Sequence, residues 1–377
     1  MSIANPPLQA QISPSIGPRT NRCCVRVAQR KLQICEREVP ANLGEDEILI
    51  EIISTGICGS DIHNLESDAI DQPLVLGHES AGLVVGVGNR VTSHKVGDRV
   101  AIEPGLACMK CEFCLRGNPN ICANLKYCGI APTDGTLCQY VKTPSHMAIP
   151  IPDAVSWEEA GCIQPLAIAV QLGRRANIRP HQTVAVFGCG PLGLMVMAVA
   201  KAYGVAKIIA FDVEPSRVSF STEYCADVGV LCPRKDPEQE SMTFATNFVK
   251  KSLFEQGVEH GVDVAIEASG AEACMQMAVV AAKPGCTVVQ AGLGGTLSAV
   301  PMFQVTAKEL TIRGEAFMAR TVRFTPGCYA DAIDLLTRKR VTLAPLITYR
   351  FPLTKSIEAF EAQQARKGIK IVIMNQE

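Results

Sequence analysis

Three residue types that bind Zn²⁺ occur in two short, neighbouring segments of this chain. Cys58 offers a thiolate within the run 56–63, and His78 and Glu79 offer an imidazole and a carboxylate directly after Gly77. Such a set fills three positions of a tetrahedral zinc shell and leaves one open for water or substrate, as catalytic sites require. Taken singly, Cys58 could be a buried apolar residue, His78 a core histidine and Glu79 a surface charge. Their combination predicts a catalytic metal site.

A second cluster consists of cysteines alone. Four thiolates complete a zinc shell with no open position, which predicts a structural site. The chain has 17 cysteines, but residues 1–21 are rich in Pro, Ser and Asn and contain no charged-then-apolar signal segment, so we expect a reducing compartment. A disulfide pair or redox-active thiols are the alternatives. Cys128 and Cys138 fall outside the spacing and are interpreted as packing residues. The four predicted ligands are Cys108, Cys111, Cys114 and Cys122.

A glycine-rich turn follows a predicted buried strand over Thr183–Phe187. We expect Gly188 to permit a tight turn, Gly190 to let a pyrophosphate approach the backbone, and Gly193 to let the following helix pack closely. The pattern alone is weak, but the strand before it and the helix after it favour a dinucleotide site over an unliganded turn. The residues assigned to the cofactor here are Gly188, Gly190, Pro191, Leu192 and Gly193.

The next predicted strand, Lys207–Phe211, ends at Asp212. An acid at this distance from the glycine turn binds the hydroxyls of the adenosine ribose, and it repels the 2′-phosphate of NADP, so NAD is favoured. Arg217 could stack on adenine or attract a phosphate, and a merely solvated Asp212 is the alternative. Two later predicted parallel strands, 262–266 and 287–290, are each followed by residues that we expect to face the cofactor. These residues are Ser269, Gly270 and Gly292.

The composition limits the classes of function. With 377 residues and 47% hydrophobic content, the chain can fill two domain cores. A net charge of −1 and a pI near 6.6 lack the basic field that captures nucleic acid or anionic membranes, which favours small-molecule chemistry. No apolar run reaches the length of a membrane span. We also expect a strand at Glu47–Ile53, and a helical stretch at Trp157–Ile178 that Ser156 caps and Pro165 interrupts.

Taken together, these motifs resemble the zinc-containing medium-chain alcohol dehydrogenase family, and within it the polyol branch that includes sorbitol, xylitol and L-arabinitol dehydrogenases. The resemblance implies a two-domain α/β fold with NAD and two zinc ions, one catalytic and one structural. A GroES-like, β-rich catalytic domain is expected over residues 23–168 and 312–377, with the zinc lobe at 104–124. A Rossmann domain with a doubly wound parallel sheet is expected over residues 169–311. Residues 1–22 are expected to form a flexible extension.

The resemblance assigns the metal site to individual residues. It implies that Cys58 and His78 bind the catalytic zinc and that Glu79 binds it directly or in exchange with water. Asp61 matches a residue that orients the ligand histidine. A fixed tautomer keeps one ring nitrogen free for the metal, which explains why a carboxylate is useful there.

It also implies a route for the proton and the hydride. Zinc lowers the pKa of the substrate alcohol, Ser60 and His63 carry the alcohol proton away, and hydride passes to NAD in a reversible reaction. Lys370 resembles the basic residue that contacts the cofactor pyrophosphate in related enzymes.

Two positions depart from the branch. Gln164 stands where the branch usually has a glutamate facing the zinc, and we therefore expect a more electrophilic, more weakly held zinc with a more acidic water. Arg323 and Phe324 match a substrate-binding segment in which the second residue is usually Tyr. A site with fewer hydrogen-bonding groups should prefer a less hydroxylated substrate.

The leading interpretation is an NAD-dependent zinc dehydrogenase of polyols or related secondary alcohols, cytoplasmic and assembled as a homodimer or homotetramer, with strands near 287–301 joining subunits. The alternative within enzymes acts on a more apolar alcohol or ketone in a biosynthetic pathway. A non-catalytic NAD-binding protein is disfavoured because ligands and relay are both intact. A zinc-finger nucleic-acid module is disfavoured because the chain is not basic.

Overall fold

The computed structural model describes residues 11–12, 20–69, 72–233, 240–295, 297–314 and 327–377. The chain divides into two compact units. The first comprises Met1–Gln164, Thr325–Thr337 and Thr342–Glu377, and the second comprises Pro165–Phe324 and Arg338–Val341. Most of the predicted N-terminal extension, residues 1–22, lies outside the described residues, although a strand already begins at Thr20.

The elements are numbered along the chain. The strands are β1 (Gln11–Ile12), β2 (Thr20–Ala28), β3 (Lys31–Glu38), β4 (Glu47–Gly56), β5 (Leu74–Val75), β6 (Glu79–Val87), β7 (Arg99–Ile102), β8 (Gly105–Leu106), β9 (Lys126–Tyr127), β10 (Tyr140–Pro144), β11 (Ala148–Pro150), β12 (Thr183–Phe187), β13 (Lys207–Asp212), β14 (Val228–Leu231), β15 (Val262–Glu267), β16 (Ala282–Gln290), β17 (Thr311–Gly314), β18 (Ile347–Pro352) and β19 (Lys370–Met374). The helices are α1 (Gly59–Glu66), α2 (Glu112–Leu115), α3 (Trp157–Ala160), α4 (Ile163–Ala176), α5 (Pro191–Ala202), α6 (Pro215–Tyr224), α7 (Ser241–Glu255), α8 (Glu272–Ala281), α9 (Met302–Ala307), α10 (Cys328–Thr337) and α11 (Ser356–Gln364).

The first unit is built on a mixed sheet in the order β11-β7-β6-β4-β19-β18, with β1 added to β6 and β10 added to β4. Its core on one face comes from β-branched residues of β4, such as Ile48, Ile50 and Ile52, which pack against Val84 and Val100. These residues alternate along β4 and so share one face of the strand, while Leu49 on the opposite face is buried as well. Two smaller sheets, β3-β2-β5 and β8-β9, also belong to this unit.

The second unit is an all-parallel sheet in the order β14-β13-β12-β15-β16-β17. Its central strands are almost wholly buried because helices cover parallel sheets on both faces, and the rings of Phe187 and Phe211 stack at 4.6 Å in this core. The carboxyl ends of these parallel strands all lie at one edge of the sheet. The chain adds β13 and β14 on one side of β12 and then crosses to add β15, β16 and β17 on the other side. That edge is where open α/β sheets bind their ligands.

The predicted helical stretch 157–178 consists of two helices. Ser156 caps α3 as predicted, since its hydroxyl accepts the Glu159 N–H at 3.3 Å. The predicted interruption at Pro165 is wrong, because the break falls at residues 161–162 and Pro165 lies in the first turn of α4. A proline is tolerated there since the N–H that it lacks has no partner within the helix. No helix in the described part of the chain is both long and apolar enough to cross a membrane.

Candidate active site

The three predicted ligands of the catalytic zinc meet at the ends of two paired strands. In the antiparallel pair β4–β6, Gly56 lies opposite Glu79, so the residues just after β4 and just before β6 are neighbours. The Cys58 Sγ, one ring nitrogen of His78 and one carboxylate oxygen of Glu79 all lie within 4.8 Å of one another. His78 and Glu79 are buried. A thiolate, an imidazole and a carboxylate this close form a donor set that fits Zn²⁺.

Asp61 organises the loop around these ligands. Its fully buried carboxylate accepts the Cys58 N–H at 2.9 Å and the Gly77 N–H at 3.0 Å, and its Oδ1 lies 3.3 Å from His78 Nδ1. Burial alone raises the pKa of this carboxyl, but the charge of His78 and the hydrogen bonds outweigh it and hold the pKa below its usual value. Asp61 therefore stays ionised and faces Nδ1, which leaves Nε2 of His78 for a metal.

Ser60 and His63 lie on α1, three residues apart and thus on one side of the helix. The Ser60 hydroxyl is 3.3 Å from Nε2 of His78, beside the nitrogen that is available to a metal. Ser60 is half-buried, whereas His63 in the last turn is exposed. The helix thus carries one hydroxyl at the ligand cluster and one imidazole in contact with solvent.

Lys370 lies in the metal-ligand cluster, a position that the sequence did not predict. Its Nζ donates to Glu79 Oε2 and, at 2.9 Å, to the carbonyl oxygen of Ile57. Both charged side chains are more than nine-tenths buried. Although burial lowers the pKa of a lysine, the Glu79 carboxylate outweighs this effect and raises the pKa of Lys370, so the ammonium stays charged. The expected contact of Lys370 with pyrophosphate remains a prediction, whereas its partner in the structure is Glu79.

Gln164 lies at the start of α4 and is 97% buried. Its Nε2 donates to the hydroxyl of Tyr127 at 3.1 Å, while its Oε1 has no hydrogen-bond partner among the described residues. The Tyr127 ring lies 5.6 Å from the His78 ring between centroids, which places this pair beside the ligand cluster. Burial, and then the charge of Cys58, raise the pKa of Tyr127 well above its usual value, so the phenol stays neutral.

The cysteine lobe has the geometry of a tetrahedral thiolate site. The Sγ–Sγ distances are 3.5 Å for Cys111–Cys114, 3.5 Å for Cys108–Cys122 and 3.8 Å for Cys111–Cys122. Zinc–sulfur bonds of about 2.3 Å give tetrahedral edges of about 3.8 Å, which these distances approach and which no disulfide could match. Hydrogen bonds from the backbone of Cys114 and Ala123 lower the pKa of Cys111 to about 6, which favours the thiolate form. The four cysteines fit a structural zinc ion.

The glycine turn after β12 combines a positive φ, an open backbone face and a close helix contact. Gly188 adopts a φ of +108°, which L-residues rarely tolerate, and a Cβ added to Gly193 would lie 1.9 Å from the Gly188 carbonyl oxygen. A Cβ added to Gly190 would meet nothing within 4 Å, so open space lies in front of this backbone. Pro191 and Leu192 begin α5. Open space at a helix N-terminus fits a pyrophosphate.

Asp212 is held at the end of β13 by two backbone amides. Its Oδ2 accepts the Cys189 N–H at 2.7 Å and its Oδ1 accepts the Glu214 N–H at 2.9 Å, which ties the acid to the glycine turn. Arg217 lies nearby in the chain, half-buried in the first turn of α6. The remaining predicted cofactor residues follow the carboxyl ends of β15 and β16 at the same sheet edge; they are Ser269, Gly270 and Gly292. Arg323 and Phe324, predicted to bind substrate, lie outside the described residues.

Comparisons with known proteins agree with this geometry. Residues 44–153 match the family model "Alcohol dehydrogenase GroES-like domain" and residues 191–338 match "Zinc-binding dehydrogenase". The D-xylulose reductase A of Aspergillus niger is 37% identical over 343 residues, which cover 90% of this chain and 92% of the relative. Among solved structures, the short chain alcohol dehydrogenase rspB of Escherichia coli CFT073, complexed with NADH, has a TM-score of 0.83 and 28% identity, covering 95% of this chain and 100% of that one. A putative zinc-binding dehydrogenase of Sinorhizobium meliloti 1021 bound to NADP has a TM-score of 0.83 and 25% identity, and the match covers 94% of this chain and 99% of that one.

The chain belongs to the zinc-containing medium-chain alcohol dehydrogenase family. Within that family it falls in the polyol dehydrogenase branch, and it is an enzyme whose cofactors are Zn²⁺ and NAD. The predicted fold, a GroES-like catalytic domain together with a Rossmann domain, is confirmed. The reaction is a reversible hydride transfer between NAD and a polyol or related secondary alcohol.

Proposed function

We propose that this enzyme interconverts a pentitol or a closely related polyol with the corresponding ketose, as the name of the D-xylulose reductase relatives suggests. The observation that carries the proposal is the cluster of Cys58, His78 and Glu79, whose donor atoms lie within 4.8 Å of one another and leave one zinc position for a substrate oxygen. We assign the dinucleotide site to a Rossmann domain over about 169–311 and the metal site to GroES-like parts over 23–168 and 312–377.

The chemistry divides between cofactors and side chains. Bound zinc supplies a Lewis acid for the alcohol oxygen, and bound NAD supplies the hydride acceptor. Asp61 holds His78 in the tautomer that binds the metal. Ser60, at 3.3 Å from His78 Nε2, takes the alcohol proton, and exposed His63 on the same side of α1 passes it to solvent.

The electrostatic balance of the site depends on Gln164 and Lys370. Cys58 and Glu79 contribute two negative charges, Lys370 contributes one positive charge, and Gln164 is neutral. The set is therefore one charge more positive than it would be with a glutamate at position 164. We infer that a zinc ion here is more electrophilic and makes its bound water more acidic.

Asp212 supports NAD rather than NADP. Two backbone amides fix its carboxylate at the end of β13, where the adenosine ribose of a bound dinucleotide would lie. A carboxylate so placed accepts hydrogen bonds from ribose hydroxyls and repels a 2′-phosphate. We assign the other cofactor contacts to Gly188, Gly190, Pro191, Leu192, Gly193, Arg217, Ser269, Gly270 and Gly292, and we retain Lys370 as a proposed pyrophosphate contact.

We further propose a cytoplasmic homo-oligomer joined through the second unit. Among the described residues β17 lies at the edge of its sheet and is exposed along its length, with Ile312 pointing a large apolar side chain outward. Leu297 and Phe303, both more than 80% exposed, precede it in the chain. Unpaired edges and exposed apolar side chains favour association with a second copy. Replacement of Phe303 by Glu should dissociate subunits, whereas Phe254→Glu, at another exposed Phe of this unit, should leave the assembly mass unchanged in light scattering.

The test of the function is NADH formation by the purified protein with xylitol, sorbitol, L-arabinitol and less hydroxylated secondary alcohols, each with and without a zinc chelator. Chelator-sensitive turnover of a polyol supports the proposal. Turnover confined to apolar alcohols would instead favour the alternative substrate class, and no turnover by protein that contains zinc and binds NAD would contradict an enzymatic role.

A further inference from the structure

The side chains of Tyr127 and Gln164 leave two complementary hydrogen-bonding positions unused. Gln164 donates to the Tyr127 oxygen, so the phenolic proton remains free to donate, and no acceptor for it is found among the described residues. The Oε1 of Gln164 is buried, and no described residue donates a hydrogen bond to it. Buried polar atoms normally have partners, because an unpaired one costs about 1–3 kcal/mol of desolvation. One donor and one acceptor therefore stand side by side without partners.

Both side chains are held rigidly. Tyr127 ends β9, which pairs with β8 through Gly105, and the next residue, Cys128, donates its N–H to the Pro104 carbonyl at 3.0 Å. Gln164 lies in the first turn of α4. Only 6% of Tyr127 and 3% of Gln164 are exposed. Groups fixed in this way are preorganised for a ligand rather than free to turn toward solvent.

The pair lies beside the ligand cluster. The centroids of the Tyr127 and His78 rings are 5.6 Å apart. Tyr127 also lies close enough to Cys58 and Glu79 for their negative charges to raise its pKa. All of these residues belong to the first unit. A molecule whose reacting oxygen is held at this cluster would therefore have Tyr127 and Gln164 among its neighbours.

We propose that Tyr127 and Gln164 form a specificity pair that binds a second substrate hydroxyl, on the carbon next to the one that is oxidised. Tyr127 donates its phenolic proton to that hydroxyl oxygen, and the hydroxyl donates its own proton to Gln164 Oε1. The inference rests on the proposed function and assigns recognition of the neighbouring hydroxyl to these two residues. It also opposes the alternative of a less hydroxylated, more apolar substrate.

A hydroxyl group suits this pair for a chemical reason. It is both donor and acceptor, so it satisfies the two free positions at once, whereas a methylene group at the same place would leave both buried and unpaired. Sites built to hydrogen-bond a substrate hydroxyl reject analogues that lack it far more strongly than apolar pockets reject an extra methylene. Discrimination between a diol and a mono-alcohol of the same skeleton is therefore the expected property.

The experiment compares butane-2,3-diol with butan-2-ol in the zinc-loaded enzyme. Variants are Tyr127→Phe, Gln164→Met and the double variant, with Tyr140→Phe as the matched control, because the Tyr140 hydroxyl hydrogen-bonds another side chain, Glu51, at 3.2 Å. For each protein, kcat/KM is measured with NAD for both alcohols. The dissociation constants of both alcohols from the enzyme–NADH complex are measured by calorimetry as a readout that needs no turnover. Zinc content is measured in every variant.

The wild-type enzyme and the control should favour the diol by about 100-fold or more in kcat/KM. Each single variant should reduce that ratio at least about tenfold and weaken the binding of the diol more than that of butan-2-ol. The double variant should reduce the ratio little more than either single variant, because both substitutions break the same bridge. An unchanged ratio, or equal losses on both alcohols, overturns the specificity pair alone. No turnover of either alcohol or of any polyol overturns the proposed function, and the inference with it.

Discussion

Lys370 Nζ donates to a carboxylate oxygen of Glu79 in the interior of the first unit, where the two side chains are 4% and 1% exposed. The pair joins the last strand of the chain to the beginning of β6. A buried carboxylate this close to a thiolate and an imidazole would be difficult to keep ionised without a cation. Lys370 therefore provides a buried cation as the partner of this carboxylate.

Loss of this cation should destabilise the first unit strongly. We expect Lys370→Met to lower the free energy of unfolding by about 3–5 kcal/mol, because it leaves a buried charge unpaired. Trp157, the single tryptophan of the sequence, lies in the same unit and reports its unfolding by fluorescence. The matched control is Lys142→Met, which removes a half-exposed cation 3.0 Å from Glu47 and should cost no more than about 1 kcal/mol. Equal effects of the two substitutions would contradict the role given to Lys370.

The cysteine lobe should hold its metal independently of the catalytic cluster. Cys111→Ser removes a thiolate from a closed shell, so we expect the zinc content to fall from two ions per chain to one. Elemental analysis of the purified protein measures this directly. Cys128→Ser, which changes a cysteine outside both ligand groups, should retain two ions, and a loss of zinc there would show that the ligand assignment is wrong.

Asp212 should set the choice of dinucleotide. Asp212→Ala removes the carboxylate that would bind ribose and repel a 2′-phosphate, so we expect kcat/KM for NAD to fall at least tenfold while the value for NADP holds or rises. Asp227→Ala is the control, since Asp227 also accepts a backbone amide, that of Ile208 at 2.7 Å, within the same sheet. If the ratio of kcat/KM for NAD to kcat/KM for NADP changed equally in both variants, general loosening of the sheet would explain the effect.

The proton route should depend on Ser60 more than on His63. Ser60→Ala should lower kcat by about 10²–10⁴ with the zinc content unchanged, because the hydroxyl next to His78 has no substitute. His63→Gln should lower kcat less and should be rescued by added imidazole, since His63 is open to solvent. Ser93→Ala, beside the half-buried His94, should have no effect. A full rate in Ser60→Ala would exclude the relay.

Local patterns predicted much of the fold and the ligand groups. The predicted strand Thr183–Phe187 is β12 to the residue, and the strand ending at Asp212 is β13, because parallel strands buried on both faces read as unbroken apolar runs. The cysteine spacing was equally informative, since all four ligands fall within fifteen positions of sequence, from Cys108 to Cys122. Such features are encoded by neighbours along the chain.

Other features depend on distant residues or on competing local rules. The predicted strand at 287–290 is the end of the longer β16, which begins at Ala282 and contains Pro284 and Gly285, two residues that argue against a strand. Its pairing with β15 shifts register at Val262/Val264, so sheet neighbours rather than propensity hold this segment. Neither the partner of Lys370 nor the hydrogen bond from Gln164 to Tyr127 leaves any local pattern.

The position of Lys370 also dictates an order of events during synthesis. Glu79 and Lys370 are 291 positions apart, and β19, which carries Lys370, lies between β4 and β18 in the sheet. At about 5–20 residues per second, a ribosome needs about 15–60 s to make that interval. Meanwhile the larger segment of the second unit, Pro165–Phe324, emerges as one continuous stretch, ahead of Arg338–Val341, and can begin to fold first. The catalytic zinc site is therefore completed after translation has passed Lys370, although its metal ligands are among the first residues made.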